Sequence, residues 1–156
     1  MELSADMQRV VLEQSLGFVA TVTPDGRPNL SPKGTMTVFD AGHLMFADIA
    51  SPGTVENLAL HPGVEVNVVD PIVRKGYRFK GNGTVHSSGP MFERGLEVLR
   101  ERGYTTKAER VRAIVVIEVT DAAPLVSPAY DDGATEESVS ERWRQRYTAL
   151  RRSPAT

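Results

Sequence analysis

From Asn29 to Asn57 the chain reads N-L-S-P-K-G-T-M-T-V-F-D-A-G-H-L-M-F-A-D-I-A-S-P-G-T-V-E-N, and the other segments are best read outward from it. An extended segment ends at Ser31-Pro32-Lys33-Gly34. A turn at Asp40-Ala41-Gly42 sends the chain back through the apolar segment His43 to Ala47. Ser51-Pro52-Gly53-Thr54 then opens a helix. Two strands therefore deliver a lysine, a glycine with exposed backbone and a helix N-terminus rich in hydroxyls. The ammonium supplies positive charge, and free N–H groups with the helix dipole favour an anion. Together these groups suit a phosphorylated molecule with a flat ring.

Around this stretch the periodicity predicts a mainly β chain with peripheral helices. Ala5 to Ser15 has helical spacing at Met7, Val10, Val11 and Gln14, with Ser4 as its cap. Gly17 to Thr23 is rich in β-formers, Pro24-Asp25-Gly26 is a turn, and Arg27 starts the returning strand. Thr35 to Phe39 and His43 to Ala47 make a second hairpin. A helix over Thr54 to Leu60 follows, closed by His61-Pro62-Gly63, and Thr54 with Asn57 echoes a capping box.

Val64 to Val69 alternates as a strand with one apolar face. Tyr77 to Val85 is another, and Gly81 and Gly83 inside it signal a bulge or a close backbone approach. Pro90 to Arg102 is a helix with Phe92, Leu96 and Leu99 on its buried stripe. Ala113 to Val119 is a β-branched strand buried on both faces. Residues 121–134 form the longest irregular segment, and Thr135 starts a helix with acids first and arginines last, as its dipole favours. Short strands separated by turn signals indicate a closed or partly closed antiparallel barrel.

Bulk properties narrow the function. The 156 residues amount to one domain, 1–156, with 121–156 as a C-terminal extension carrying a helix. A net charge of -2 gives no global attraction to nucleic acid or an anionic membrane. No apolar run approaches a membrane span, and Met1 to Asp6 has no signal-peptide character. With no cysteine, thiolate chemistry and disulfides are excluded, and a cytoplasmic location is expected. His43, His61 and His86 are isolated, so no metal site is expected. No nucleophile elbow and no Walker or Rossmann pattern is present.

The ordered series Gly17-Phe-Val-Ala-Thr-Val, Asp25-Gly-Arg-Pro28, Ser31-Pro-Lys-Gly34, Phe46-Ala-Asp48, Ser51 through Leu58, His61-Pro62 and Arg74 to Gly81 resembles the pyridoxamine 5'-phosphate oxidase-like family of FMN-binding split barrels. The resemblance covers roughly residues 8–120. It implies a split antiparallel β-barrel, a homodimer and two FMN sites at the subunit interface. It also implies that Ser31, Pro32, Lys33 and Gly34 line the flavin and reach toward the ribityl phosphate. Asp48 would meet the ribityl chain, Ser51, Thr54 and Asn57 would hold the phosphate, and Lys75 would stand at the polar edge of the ring. The family's phosphate loop has Ser-Arg-Lys where this chain has Ser51-Pro52-Gly53, so Lys33 or a basic residue of the partner must balance the phosphate.

The expected activity is that of an FMN-dependent oxidoreductase moving a hydride through flavin N5 to or from a small molecule, with NAD(P)H as a possible donor. Such chemistry belongs to the cofactor, which accounts for the lack of a recognisable catalytic dyad. The alternative is a non-catalytic sensor or carrier of a flavin, a deazaflavin or haem.

Overall fold

The computed structural model describes residues 1–50, 52–104 and 108–152, with only the backbone at Ala108. Seven strands and four helices follow one another in the order α1 (Ala5–Gln14), β1 (Gly17–Val22), β2 (Pro28–Lys33), β3 (Thr37–Asp40), β4 (His43–Asp48), α2 (Pro52–Leu60), β5 (Gly63–Asp70), β6 (Lys75–His86), α3 (Pro90–Glu101), β7 (Ala113–Val126) and α4 (Glu136–Arg152). The strands form one sheet in the order β2-β1-β5-β6-β7-β4-β3, and every pair is antiparallel.

That order requires curvature. The two edges, β2 and β3, are joined by residues 34–36 alone. The chain from Lys33 to Thr37 spans at most about 14 Å. A flat seven-stranded sheet would hold its edges about 29 Å apart. The sheet therefore coils until its edges come within reach of a turn, and these edges do not pair. This is the partly closed antiparallel barrel that the strand pattern anticipates, and the split barrel that the family resemblance implies.

Two apolar clusters sit on either side of the sheet. Inside the barrel, Val19, Leu44, Phe46, Val66, Val68, Phe79, Val115 and Ile117 pack with Val10 and Val11 of α1 and Leu58 of α2. Outside, Met45, Ala47, Ile114 and Val116 meet Leu96, Val98 and Leu99 of α3. Alternation along β4 and β7 thus feeds both clusters, as the unbroken apolar run Ala113 to Ile117 requires. Gly95 lets α3 settle on Ile114, where an added Cβ would lie 2.6 Å from a methyl carbon.

Four expectations change. The strand β7 continues through Val126, so 121–126 is not irregular; it pairs with β6 from Asp121 to Val126. Only β6 flanks that half, because β4 pairs with β7 no further than Glu118, and the free side tolerates Pro124. The helix α2 begins at Pro52, which places Thr54 inside it rather than at its cap. Asn57 is accordingly not part of a capping box: its side chain bonds to Thr21 of β1. Finally, β3 starts at Thr37 because Thr35 is spent on the turn, where its hydroxyl accepts from the Ala47 N–H at 2.9 Å.

Candidate functional site: a lysine–hydroxyl cradle

The last residue of β2, Lys33, falls on the inward side of the hairpin by strand alternation and is 4% exposed. Its Nζ donates to Ser31 Oγ at 2.8 Å and to Thr54 Oγ1 at 3.1 Å. It also lies 5.3 Å from the centre of the Phe46 ring. Burial pushes the ammonium below its ordinary value, and the Asp48 carboxylate pulls it back. Asp48 is the final residue of β4 and is itself buried.

Ser31 and Thr54 line a recess of about 320 Å³ together with Asn29, Leu30, Ala50, Pro52 and Gly53. Each hydroxyl accepts from the ammonium and so keeps its own proton to donate. Lys33 commits two of its three protons to these hydroxyls. The first turn of α2 presents its N-terminal backbone at the same recess, where the helix dipole is positive. Lys33 is buried and does not itself line the recess; it backs the two hydroxyls that do, so the wall offers two O–H groups and a helix start over a cation, with no carboxylate among the described residues that line it. This donor set fits a phosphate monoester.

Behind the cradle, Thr21 Oγ1 accepts from Asn57 Nδ2 at 2.9 Å and from Asn29 Nδ2 at 3.2 Å. This ties α2 to both strands of the first hairpin and sets where Thr54 stands. Asn57 therefore acts by positioning α2 and does not line the recess. Thr21 and Asn29 were absent from the candidate residues. A signal for Thr21 existed: alternation from Gly17 and Val19 points it inward, a polar residue on an apolar face.

The other candidates are distributed unevenly. Pro32 and Gly34 are exposed on either side of Lys33. Ser51 lies outside the described residues. Lys75 is not with the cradle in this protomer. It pairs with Glu136 Oε2 at 2.9 Å, sits 4.4 Å from the Tyr130 ring centre, and lines another recess of about 330 Å³ with Asp6, Arg9, Tyr77 and Glu136.

The family model for pyridoxamine 5'-phosphate oxidase matches residues 3–125. This chain belongs to that family. The oxidase-family match takes in all seven strands almost to the end of β7 and stops short of α4. Among solved structures, HupZ of Group A Streptococcus is similar at 25% identity and a TM-score of 0.71, over 80% of this chain and 95% of that one. An F420 reductase shares the fold at 19% identity and a TM-score of 0.61, over 78% of this chain and 98% of that one. An FMN-binding protein from Syntrophomonas wolfei does so at 13% identity and a TM-score of 0.62, over 78% and 86%. No curated protein matches this oxidase-family chain.

Proposed function

We propose that this oxidase-family protein is an FMN-dependent oxidoreductase that works as a homodimer. The observation that carries the reading is the Ser31–Lys33–Thr54 cradle at the start of α2. Lys33 would neutralise the FMN phosphate, and the Ser31 and Thr54 hydroxyls would donate to its oxygens. Asn57 would hold α2 in register through Thr21. The family resemblance implies Lys75 at the polar edge of the ring, and because Lys75 lies in a different recess of the same protomer, that role would fall to the partner subunit's copy. Bound FMN supplies hydride transfer at N5; the protein supplies binding, orientation and electrostatics.

Dimerisation is supported by the outward face of the β1–β2 hairpin. Phe18 opposes Pro32, Ala20 opposes Leu30 and Val22 opposes Pro28 across the two strands. Leu30 is 66% exposed and Phe18 44%, and Leu30 also borders the cradle recess. A contiguous apolar face of this kind on an edge hairpin marks a contact surface. A second copy seated there would close the recess over the ring.

The test is the absorbance spectrum of the purified protein after incubation with FMN, followed by addition of NADH or NADPH. A stoichiometric flavin spectrum that bleaches on reductant addition supports the reading. Tight F420 or haem binding with no uptake of FMN would sink it and favour the carrier alternative.

A further inference from the structure

Arg74 in the β5–β6 turn has φ +58°, a left-handed backbone that glycine or asparagine adopts at less cost. Its guanidinium carbon lies 3.4 Å from the centre of the Trp143 ring on α4. Arg142 and Arg146 flank the same indole at 5.9 and 5.8 Å. None of these three guanidiniums pairs with a carboxylate among the described residues. The Nε of Arg74 is buried with no hydrogen-bond partner. The segment before α4 is held down beside them: Tyr130 donates to the Val73 carbonyl at 2.6 Å, and the Ser127 N–H to that of Arg74 at 3.1 Å.

A recess of about 470 Å³ opens there, walled by Arg74, Arg142 and Trp143 over Val69, Leu125 and Val126. Like charges gathered without counter-charge, a strained backbone that retains a long side chain, and an apolar floor are each unfavourable alone. One occupant offsets all three. We propose that this recess is a second binding site, separate from the Lys33 cradle, for a small organic carboxylate with an apolar or aromatic body. The planar guanidinium of Arg142 takes the carboxylate, Arg74 adds its positive charge, and the body lies on Val69 and Val126 against the indole edge. Its volume falls within the range of small-molecule sites. The proposal does not depend on FMN binding at the cradle.

Trp143 is the one tryptophan in the chain, so its indole N–H resonance reports on the recess directly. Titration of the full chain with 3-phenylpropanoate should move that resonance saturably. The uncharged 3-phenylpropan-1-ol and inorganic phosphate should each bind at least tenfold more weakly, since one lacks the charge and the other the body. Arg142 is exposed on α4, so R142Q should keep the wild-type melting temperature. It should lose about tenfold in affinity for the carboxylate and nothing for the alcohol, and R142K should recover part of the loss. No saturable shift at millimolar carboxylate, equal binding of the alcohol or of phosphate, or unchanged affinity in R142Q would overturn the proposal. Displacement of the carboxylate by stoichiometric FMN would also overturn it, because the recess would then belong to the flavin site.

Discussion

A buried lysine whose nearest partners are hydroxyls is an unusual choice unless an anion is to arrive. Lys33 loses hydration on folding, and Asp48 compensates only in part. The sign of the consequence follows from the lowered pKa. The unfolded chain binds the proton more tightly than the folded one, so apo stability rises with pH between the lowered value and the ordinary 10.5. Under the proposed function, the FMN affinity that Lys33 would contribute runs the other way: it is full below the lowered value and declines as pH rises above it. Replacing Lys33 with Ala should weaken FMN binding by about 1–3 kcal/mol at neutral pH, the range for a charge-assisted hydrogen bond. The gap between wild-type and variant affinities should narrow as pH rises above the lowered value, and equal affinities at pH 7 would remove Lys33 from the site. Asn57→Ala takes a donor from the buried Thr21 hydroxyl and should cost about 1–3 kcal/mol in urea unfolding. If the unfolding midpoint does not move, Asn57 is not the tie between α2 and β1.

Among the elements, β6 shows how a sequence cue becomes geometry. Its inward Tyr77 and Phe79 and outward Arg78 and Lys80 follow plain alternation. At Lys80–Gly81 the register against β7 shifts, Lys80 facing Asp121 and Gly81 facing Val119. A Cβ at Gly81 would stand 2.1 Å from the Glu118 carbonyl oxygen. Gly81→Ala must therefore push two central strands apart, a backbone clash costing about 3 kcal/mol. Thermal or urea unfolding of that variant measures it, and a loss below about 1 kcal/mol would mean that the bulge absorbs a methyl group. Gly83 is the milder case, since the atoms it would meet are the terminal methyls of Leu58 at 3.1 and 3.2 Å. The same strand pair explains why 121–126 looked irregular. Asp-Ala-Ala-Pro-Leu-Val has little β character of its own, and pairing with β6 imposes the extended form.

For the whole molecule, the exposed face of the first hairpin is the feature most in need of a partner. Leu30→Glu places a charge at its centre without touching either apolar cluster. Light scattering should then show the mass of the proposed dimer fall by half, and FMN affinity should fall with it, both because the recess loses its cover and because Leu30 lines it, so the new carboxylate repels the phosphate. A variant that remains dimeric would move the interface elsewhere on the barrel. Among the described residues no helix is long and apolar enough to cross a membrane.

Read alone, the sequence determined the order of elements, the alternation that assigns each strand's inward face, the glycines where chains approach, and the lysine and hydroxyls of the cradle. These are local quantities, set by side-chain periodicity and turn chemistry within a few residues. Only the tertiary structure decided who meets whom. Lys33 and Thr54 are 21 residues apart, and Asn57 reaches back 36 residues to Thr21. Lys75, placed by resemblance at the polar edge of the flavin ring, lies against Glu136, 61 residues along the chain, in another recess of the same protomer. Such meetings depend on the coiling that a three-residue link between the sheet's two edges enforces, and on a bulge that resets the register of β6 against β7. Neither is visible in any short window of sequence, because both arise from closing the sheet as a whole.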